Sequence, residues 1–251
     1  MAESEFRHAL VIGASSGIGE ALARRLAAEG TRVALVGRRE PELRRVMGEI
    51  NSAAGEDRAA AIAHDVRATA EIPELVQGVA QVLGGLDLVI YAAGVMPAVA
   101  EDEYDTAKDR ETIEVNLVGA VAWLNPVAER MANLGRGTIV GIGSVAGDRG
   151  RSGNPVYCTS KAALHAYLEA LRNRLARAGV KVVTIKPGFI DTAMTRGKDG
   201  LFWVISADRA AEIILDKARR GAVTAYVPAR WRMVMAIIRS IPSFIFSRLG
   251  I

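Results

Sequence analysis

A single cysteine, Cys158, in 251 residues leaves no partner for an intramolecular disulfide and fits a reducing compartment. No run of about 18 uncharged apolar residues occurs, so no spanning helix is expected. The opening Met1-Ala2-Glu3-Ser4-Glu5-Phe6 is acidic and leads straight into a strand pattern, which excludes a signal peptide. Repeats, low-complexity stretches and linkers are missing, so the length reads as one large α/β domain with a substantial core. No nucleic-acid motif accompanies the net charge of +4 and the pI of about 9.4. That mild basicity points to anionic partners such as a phosphorylated cofactor or a membrane surface. No metal site is expected. Acids are also missing from the last stretch, Pro228 to Ile251, which holds four arginines.

What is present is an alternation of strands and helices. Short apolar strands are expected at His8–Ile12, Thr31–Val36, Ala59–Ala63, Leu86–Tyr91, Gly137–Ile142, Lys181–Ile185 and Val223–Val227. Helical patterns fall at Glu20–Glu29, Glu40–Ala54, Thr69–Leu83, Tyr104–Met131 and from Tyr157 to about Gly179. Pro41 and Pro73 suit first helical turns. Continuous apolar strands argue for a parallel sheet covered on both faces. Right-handed crossovers then give a doubly wound, Rossmann-like sheet of about seven strands. The expected division is a cofactor-binding domain over residues 1–228 and a basic amphipathic extension over 229–251.

Gly13-Ala14-Ser15-Ser16-Gly17-Ile18-Gly19 lies between the first strand and the first helix. Glycines let backbone approach a ligand closely, and the helix that follows offers free N–H groups to a pyrophosphate. The spacing is G-x-x-x-G-x-G rather than the usual dinucleotide fingerprint. Strand two ends in Val36-Gly37-Arg38-Arg39, where an acid would read the ribose hydroxyls of NAD. A guanidinium there suits a 2′-phosphate instead, so NADP(H) is preferred over NAD(H). A loop of solvated arginines is the bland alternative.

Tyr157-Cys158-Thr159-Ser160-Lys161 puts a phenol and an ammonium on one face of a helix. A nearby positive charge favours phenolate, which would lower the tyrosine pKa and make it useful for acid–base chemistry.

Four motifs together resemble the short-chain dehydrogenase/reductases of about 250 residues, over roughly residues 8–228. They are the Gly13/Gly17/Gly19 loop, Ala92-Ala93-Gly94 after strand four, Asn116-Leu117-Val118-Gly119, and Ser144 ahead of Tyr157 and Lys161. The resemblance implies that Tyr157 donates a proton to a carbonyl oxygen and that Ser144 is the second donor to that oxygen. It implies that Lys161 binds the nicotinamide ribose and lowers the Tyr157 pKa. Asn116 would hold the long helix open for a water beside Lys161. Asp65 and Val66 would meet adenine, and Ala93 and Gly94 the cofactor. Pro187, Gly188, Ile190 and Thr192 would hold the carboxamide. Departures are Ile12, Thr159, Ser16 in place of a basic residue, and Tyr91 in place of an asparagine that steadies the central strand. Ser16 leaves Arg38 as the chief support for the 2′-phosphate.

In the extension, Trp231, Val234, Met235, Ile238 and Ile241 recur at helical spacing and Pro242 breaks the pattern. Three readings stay open: packing on its own domain or a second subunit, an anionic membrane surface, or a lid over the substrate mouth. The ending is similar to the tail of reductases acting on polyprenyl-phospho-pentose 2-ketosugars, which implies a lipidic or lipid-linked substrate. Val95, Met96, Phe189, Met194, Leu201, Phe202 and Trp203 form an expected apolar collar, with Arg149, Arg151 and Arg196 beside it. The expected activity is hydride transfer between NADP(H) and a carbonyl/secondary alcohol pair. The rival is an NADP(H)-binding regulator or membrane-associated scaffold with vestigial activity. The resemblance implies a homodimer or homotetramer in the cytoplasm.

Overall fold

The computed structural model describes residues 5–100, 102–197 and 200–249. The reading of residues 1–4 lies outside them, as do residues 250 and 251 of the extension.

Seven parallel strands form one sheet: β1 (His8–Ile12), β2 (Arg32–Gly37), β3 (Ala59–Ala63), β4 (Leu88–Tyr91), β5 (Gly137–Ile142), β6 (Val180–Pro187) and, after a small pair, β9 (Thr224–Val227). Their order is β3-β2-β1-β4-β5-β6-β9. The order reverses at β1, next to β4, and opens the crevice where doubly wound sheets bind ligands. The small pair is β7 (Ile190–Asp191) and β8 (Ile205–Ser206), with Ile190 opposite Ile205. Sequence reasoning did not foresee this pair, which closes the loop that follows β6.

Helices cover both faces. On one lie α1 (Gly17–Ala28), α2 (Glu40–Ala54) and α7 (Ala207–Arg219), packing Leu22, Leu26, Val46, Ile214 and Leu215 on the sheet. On the other lie α3 (Ile72–Leu83), α5 (Gly119–Leu134) and α6 (Pro155–Leu175), with Trp123, Leu124, Leu164 and Leu168 fully buried. Each such side chain contributes about 1.5–3 kcal/mol of burial. The helix α7 was absent from the sequence reading, although Ala210, Ala211, Ile214, Leu215 and Ala218 fall at helical spacing and are buried.

The long helix expected from Tyr104 to Met131 is three pieces. α4 (Thr106–Ile113), capped by Asp105, runs into a π-helical turn at Glu114–Val118, and α5 follows. A π turn marks an inserted residue that loosens the backbone ladder, and such turns gather at functional sites. Here Tyr91 compensates for the loosening. Its phenol donates to the Val115 carbonyl at 2.6 Å. The expectation that Tyr91 leaves the central strand without a steadying hydrogen bond is therefore corrected: the bond exists but runs from strand to helix.

The extension forms α8 (Trp231–Ser240) and a short turn α9 (Ser243–Phe246), separated at Pro242. Among the described residues no helix is long and apolar enough to cross a membrane.

Candidate active site

A cavity of about 350 Å³ opens at the carboxyl ends of the strands. Every residue named from the sequence for the cofactor lines it, as do Ser144, Tyr157 and Lys161. Asn116 sits behind its wall. Sequence reasoning missed His64, Val115, Gly143 and Thr195; each neighbours a residue that it did name. Of the expected collar, Val95 and Met194 line the cavity.

The glycine loop is shaped by close packing. At Gly13, with φ of +93°, a Cβ would lie 2.5 Å from the Ala93 nitrogen, and at Gly19 it would lie 2.2 Å from the Gly13 carbonyl oxygen. Only glycine lets the loop fold onto β4 and start α1 at once. The N-cap of α1, Ser16, makes no side-chain cap. The first-turn N–H groups of α1 therefore keep their donors for an anion in the cavity.

The two arginines after β2 divide their work differently from the expectation. Arg39 reaches back over the loop and donates to Ser15 Oγ at 3.0 Å and Ser16 Oγ at 2.6 Å. Arg38 leans toward Glu111, 3.6 Å away. Arg39 thus brings the positive charge that Ser16 itself lacks. Asp65 is gripped by Arg67 through backbone and guanidinium, and this pairing holds its carboxyl below the usual range.

At the other end Asn154 caps α6 by accepting from the Tyr157 N–H, placing Tyr157 in the first turn. Ser144 accepts from the Ala146 N–H at 3.1 Å and so starts the 3₁₀ turn Val145–Asp148. Its hydroxyl also pulls the pKa of the Tyr157 phenol down. Beneath it, the Ser144 N–H faces His165 Nε2 at 3.4 Å, and burial pushes that imidazole down to about 3, so it stays neutral. Asn116 is fully buried. Its Oδ1 accepts from the Val95 N–H at 2.8 Å, and its Nδ2 donates to the Val95 carbonyl and to Ser160 Oγ, each at 3.0 Å. These three bonds tie the π turn to the chain after β4 and to α6. A Cβ on Gly94 would lie 3.3 Å from Lys161 Nζ and 3.4 Å from Asn116 Oδ1, so Gly94 keeps the space between them.

Lys161 donates to the Ile142 carbonyl at 3.1 Å and stands 5.8 Å from the Tyr157 ring centroid. Burial pushes its ammonium down to about 8. Burial also pushes the Tyr157 phenol up, against the Ser144 hydrogen bond and the charge of Arg151, which pull it down. Lys161 is not among the groups that lower it. The expected lowering of Tyr157 by Lys161 is corrected accordingly: both groups are desolvated, and the ammonium is engaged by a carbonyl on β5 rather than by the phenol.

The floor beyond Tyr157 involves the extension. A Cβ on Gly188 would lie 1.9 Å from Trp231 Nε1, so the indole rests directly on the Pro187-Gly188 segment. Trp231 stacks on Phe202 (5.2 Å between centroids) and meets Phe189 edge-on (5.3 Å). Arg149 donates to the carbonyls of Ile238 (3.2 Å) and Arg239 (3.0 Å), closing the last turn of α8. Arg149 is thereby removed from the residues that meet substrate. Arg151 remains, half-buried near Tyr157.

Comparison with known proteins agrees with this geometry. The family model for short chain dehydrogenases matches residues 7–200. An uncharacterized oxidoreductase of Staphylococcus epidermidis is 35% identical over 199 residues, 79% of this chain and 84% of that protein. Another from Myxococcus xanthus is 38% identical over 195 residues, covering 78% and 76%. A variant of the actinorhodin polyketide ketoreductase, solved with NADPH, superposes with a TM-score of 0.79 at 30% identity, covering 90% of this chain and 96% of that one.

Proposed function

The chain belongs to the short-chain dehydrogenase family, oxidoreductases of CH–OH groups, and on that footing we propose that it reduces the carbonyl of a large, partly apolar or lipid-linked substrate with NADPH. The observation that carries this reading is the meeting of Tyr157, Ser144 and Lys161 in the cavity that also holds the glycine loop and Arg39.

The residues present fit the cofactor. Uncapped N–H groups of α1 face the pyrophosphate, and Arg39 with Ser15 and Ser16 offers donors to a 2′-phosphate. Asp65 and Val66 would face adenine. Ala93, Gly94, Pro187, Gly188, Ile190 and Thr192 line the same cavity and would hold the nicotinamide end. When bound, NADPH supplies the hydride.

The rest falls to side chains. A phenol held up by burial is protonated at neutral pH, which suits donation to a carbonyl oxygen. Tyr157 gives that proton, and Ser144 donates a second hydrogen bond to the same oxygen as negative charge develops. Lys161 places a desolvated ammonium beside the ribose hydroxyls, where a charge counts for more than in water. Asn116 keeps the π turn and Gly94 in register with Lys161. Val95 and Met194 line the cavity and favour an apolar body on the substrate.

The domain over residues 1–228 carries this chemistry, and residues 229–251 add a peripheral membrane contact. Assembly as a homodimer or homotetramer through α5 and α6 belongs to the same reading, as does a cytoplasmic location. NADPH absorbance followed against a panel of ketones differing in bulk, with and without detergent, tests it. Oxidation of NADPH by long-chain or polycyclic ketones supports the proposal. Turnover with NADH at equal or higher kcat/KM removes the cofactor assignment. NADPH binding with no ketone reduced favours the regulator or scaffold.

A further inference from the structure

We propose that the outer face of α8 and α9, joined to the exposed segment Phe202–Val204, taken as a lid, docks on an anionic membrane surface and turns the cavity toward the bilayer. This deepens the reading above and rests on its apolar substrate.

The inner face of α8 is fixed. Trp231 and Met235 are buried against Val145, Phe189 and Tyr226, and Arg149 closes the helix end. The outer face is therefore held in place rather than trailing. It presents Met233 and Ile237, which are 74% and 66% exposed and one helical turn apart. Phe244, 67% exposed, and Ile245 and Leu249 extend the patch past Pro242. Scattered apolar residues on a surface need no explanation, but five large ones within 17 residues do.

Charge decides the occupant. Arg232 and Arg248 are exposed and have no side-chain partner among the described residues. No acid occurs from Pro228 onward. A second copy seated on this face would bring arginine against arginine with no carboxylate in the segment to meet it. An anionic bilayer takes both features, the apolar centre and the arginine rim.

The lid joins this face. The Arg230 guanidinium lies over the Trp203 ring at 4.7 Å and donates to the Trp203 carbonyl. Phe202 stacks on Trp231, whose indole rests on Gly188 in the cavity lining, and Phe189 meets both rings edge-on. Phe202, Trp203 and Val204 are themselves exposed. A half-wet tryptophan with a cation beside it suits the headgroup level of a membrane. An apolar substrate would pass from the acyl region past Trp231 and Gly188 into the cavity.

The full chain, loaded with NADPH, is sedimented with vesicles of phosphatidylcholine alone or with about one third phosphatidylserine, in low salt and in about 0.5 M salt, where surface charge is screened within a few ångström. Binding is expected only to the serine lipid at low salt, and at least about tenfold weaker for Arg232→Gln/Arg248→Gln and for Met233→Ser/Ile237→Ser. Of the three tryptophans Trp123 and Trp231 are buried, so Trp203 is the reporter. Its emission should shift to the blue on these vesicles, and Trp203→Phe should abolish the shift without abolishing sedimentation. Sedimentation without a blue shift overturns the placement of the lid. No sedimentation, or self-association weakened by Met233→Ser/Ile237→Ser, overturns the membrane face. NADPH binding in solution is unchanged in all these variants, so failure here stays separate from failure of the reductase reading.

Discussion

Replacing Lys161 with methionine keeps the stem and removes the ammonium. In the folded protein burial holds that ammonium at about 8. In the unfolded chain it titrates near about 10.4. At about pH 7 both states carry the proton, and the folded protein bears the full cost of a desolvated charge. As pH rises past about 8 the folded lysine releases its proton while the unfolded one keeps it. The unfolded state then binds more protons, so stability contributed at this site rises with pH until about 10.4. Between about pH 7 and pH 10 the gain is on the order of 2–3 kcal/mol. Urea unfolding of wild type and Lys161→Met at both pH values reads it directly. The two proteins share every other titrating group, so the difference between them isolates Lys161. Wild type should gain on the order of 2–3 kcal/mol on the variant across that interval. A gap that stays constant to within about 0.5 kcal/mol would refute the buried ammonium and the catalytic role built on it. The same titration predicts that turnover with NADPH declines as pH climbs through about 8, because the neutral amine no longer offers charge at the ribose.

Arg39→Ala should lower kcat/KM for NADPH by about 10- to 100-fold and leave NADH within about threefold, since charge-assisted bonds to a phosphate are lost; a larger effect from Arg38→Ala in parallel kinetics would move the phosphate site to Arg38. Asn116→Ala leaves the Val95 N–H and carbonyl and the Ser160 hydroxyl without their partner, so urea unfolding should show a loss of at least about 2 kcal/mol; an unchanged midpoint contradicts the tie between π turn and α6. Gly188→Ala drives a Cβ into Trp231 and should weaken NADPH binding measured by cofactor fluorescence, with partial recovery in Gly188→Ala/Trp231→Phe; recovery failing there would detach the extension from the nicotinamide segment.

Much of the fold was readable from local pattern. Strands such as His8–Ile12 and Gly137–Ile142 stood out because parallel strands buried on both faces are short continuous apolar runs; the edge strand Ala59–Ala63 gave a weaker pattern, because alanine is a poor strand former. Glu40–Ala54 was marked by Pro41 and by apolar periodicity. The helix Ala207–Arg219 was not, though its alanines carry a weak signal only the packed sheet amplifies. The π turn at Asn116 was foreseen only as an opening of a long helix, because one inserted residue changes hydrogen-bond register without changing composition. The cofactor cavity followed from strand ends, which place loop residues far apart in sequence at one edge. Which arginine turns back over the glycine loop did not follow, since Arg38 and Arg39 differ only in direction, and Glu111 draws one of them away. Arg149 read as a solvated loop arginine or a contact to an acid or phosphate, and is a helix cap, a role set by an extension about 90 residues later. The electrostatics of Tyr157 were misjudged for a related reason: helical spacing brings Lys161 near, but burial and the Ile142 carbonyl determine what its charge does.

Tyr157→Phe tests the central claim most directly, because it removes one hydroxyl and leaves the ring, the Ser144 turn and the cofactor cavity in place. With a ketone that the wild type reduces, NADPH oxidation should fall at least about 100-fold. The dissociation constant for NADPH should stay within about threefold. Turnover that survives the substitution, or NADPH binding that is lost with it, would contradict the assignment of Tyr157 as the proton donor.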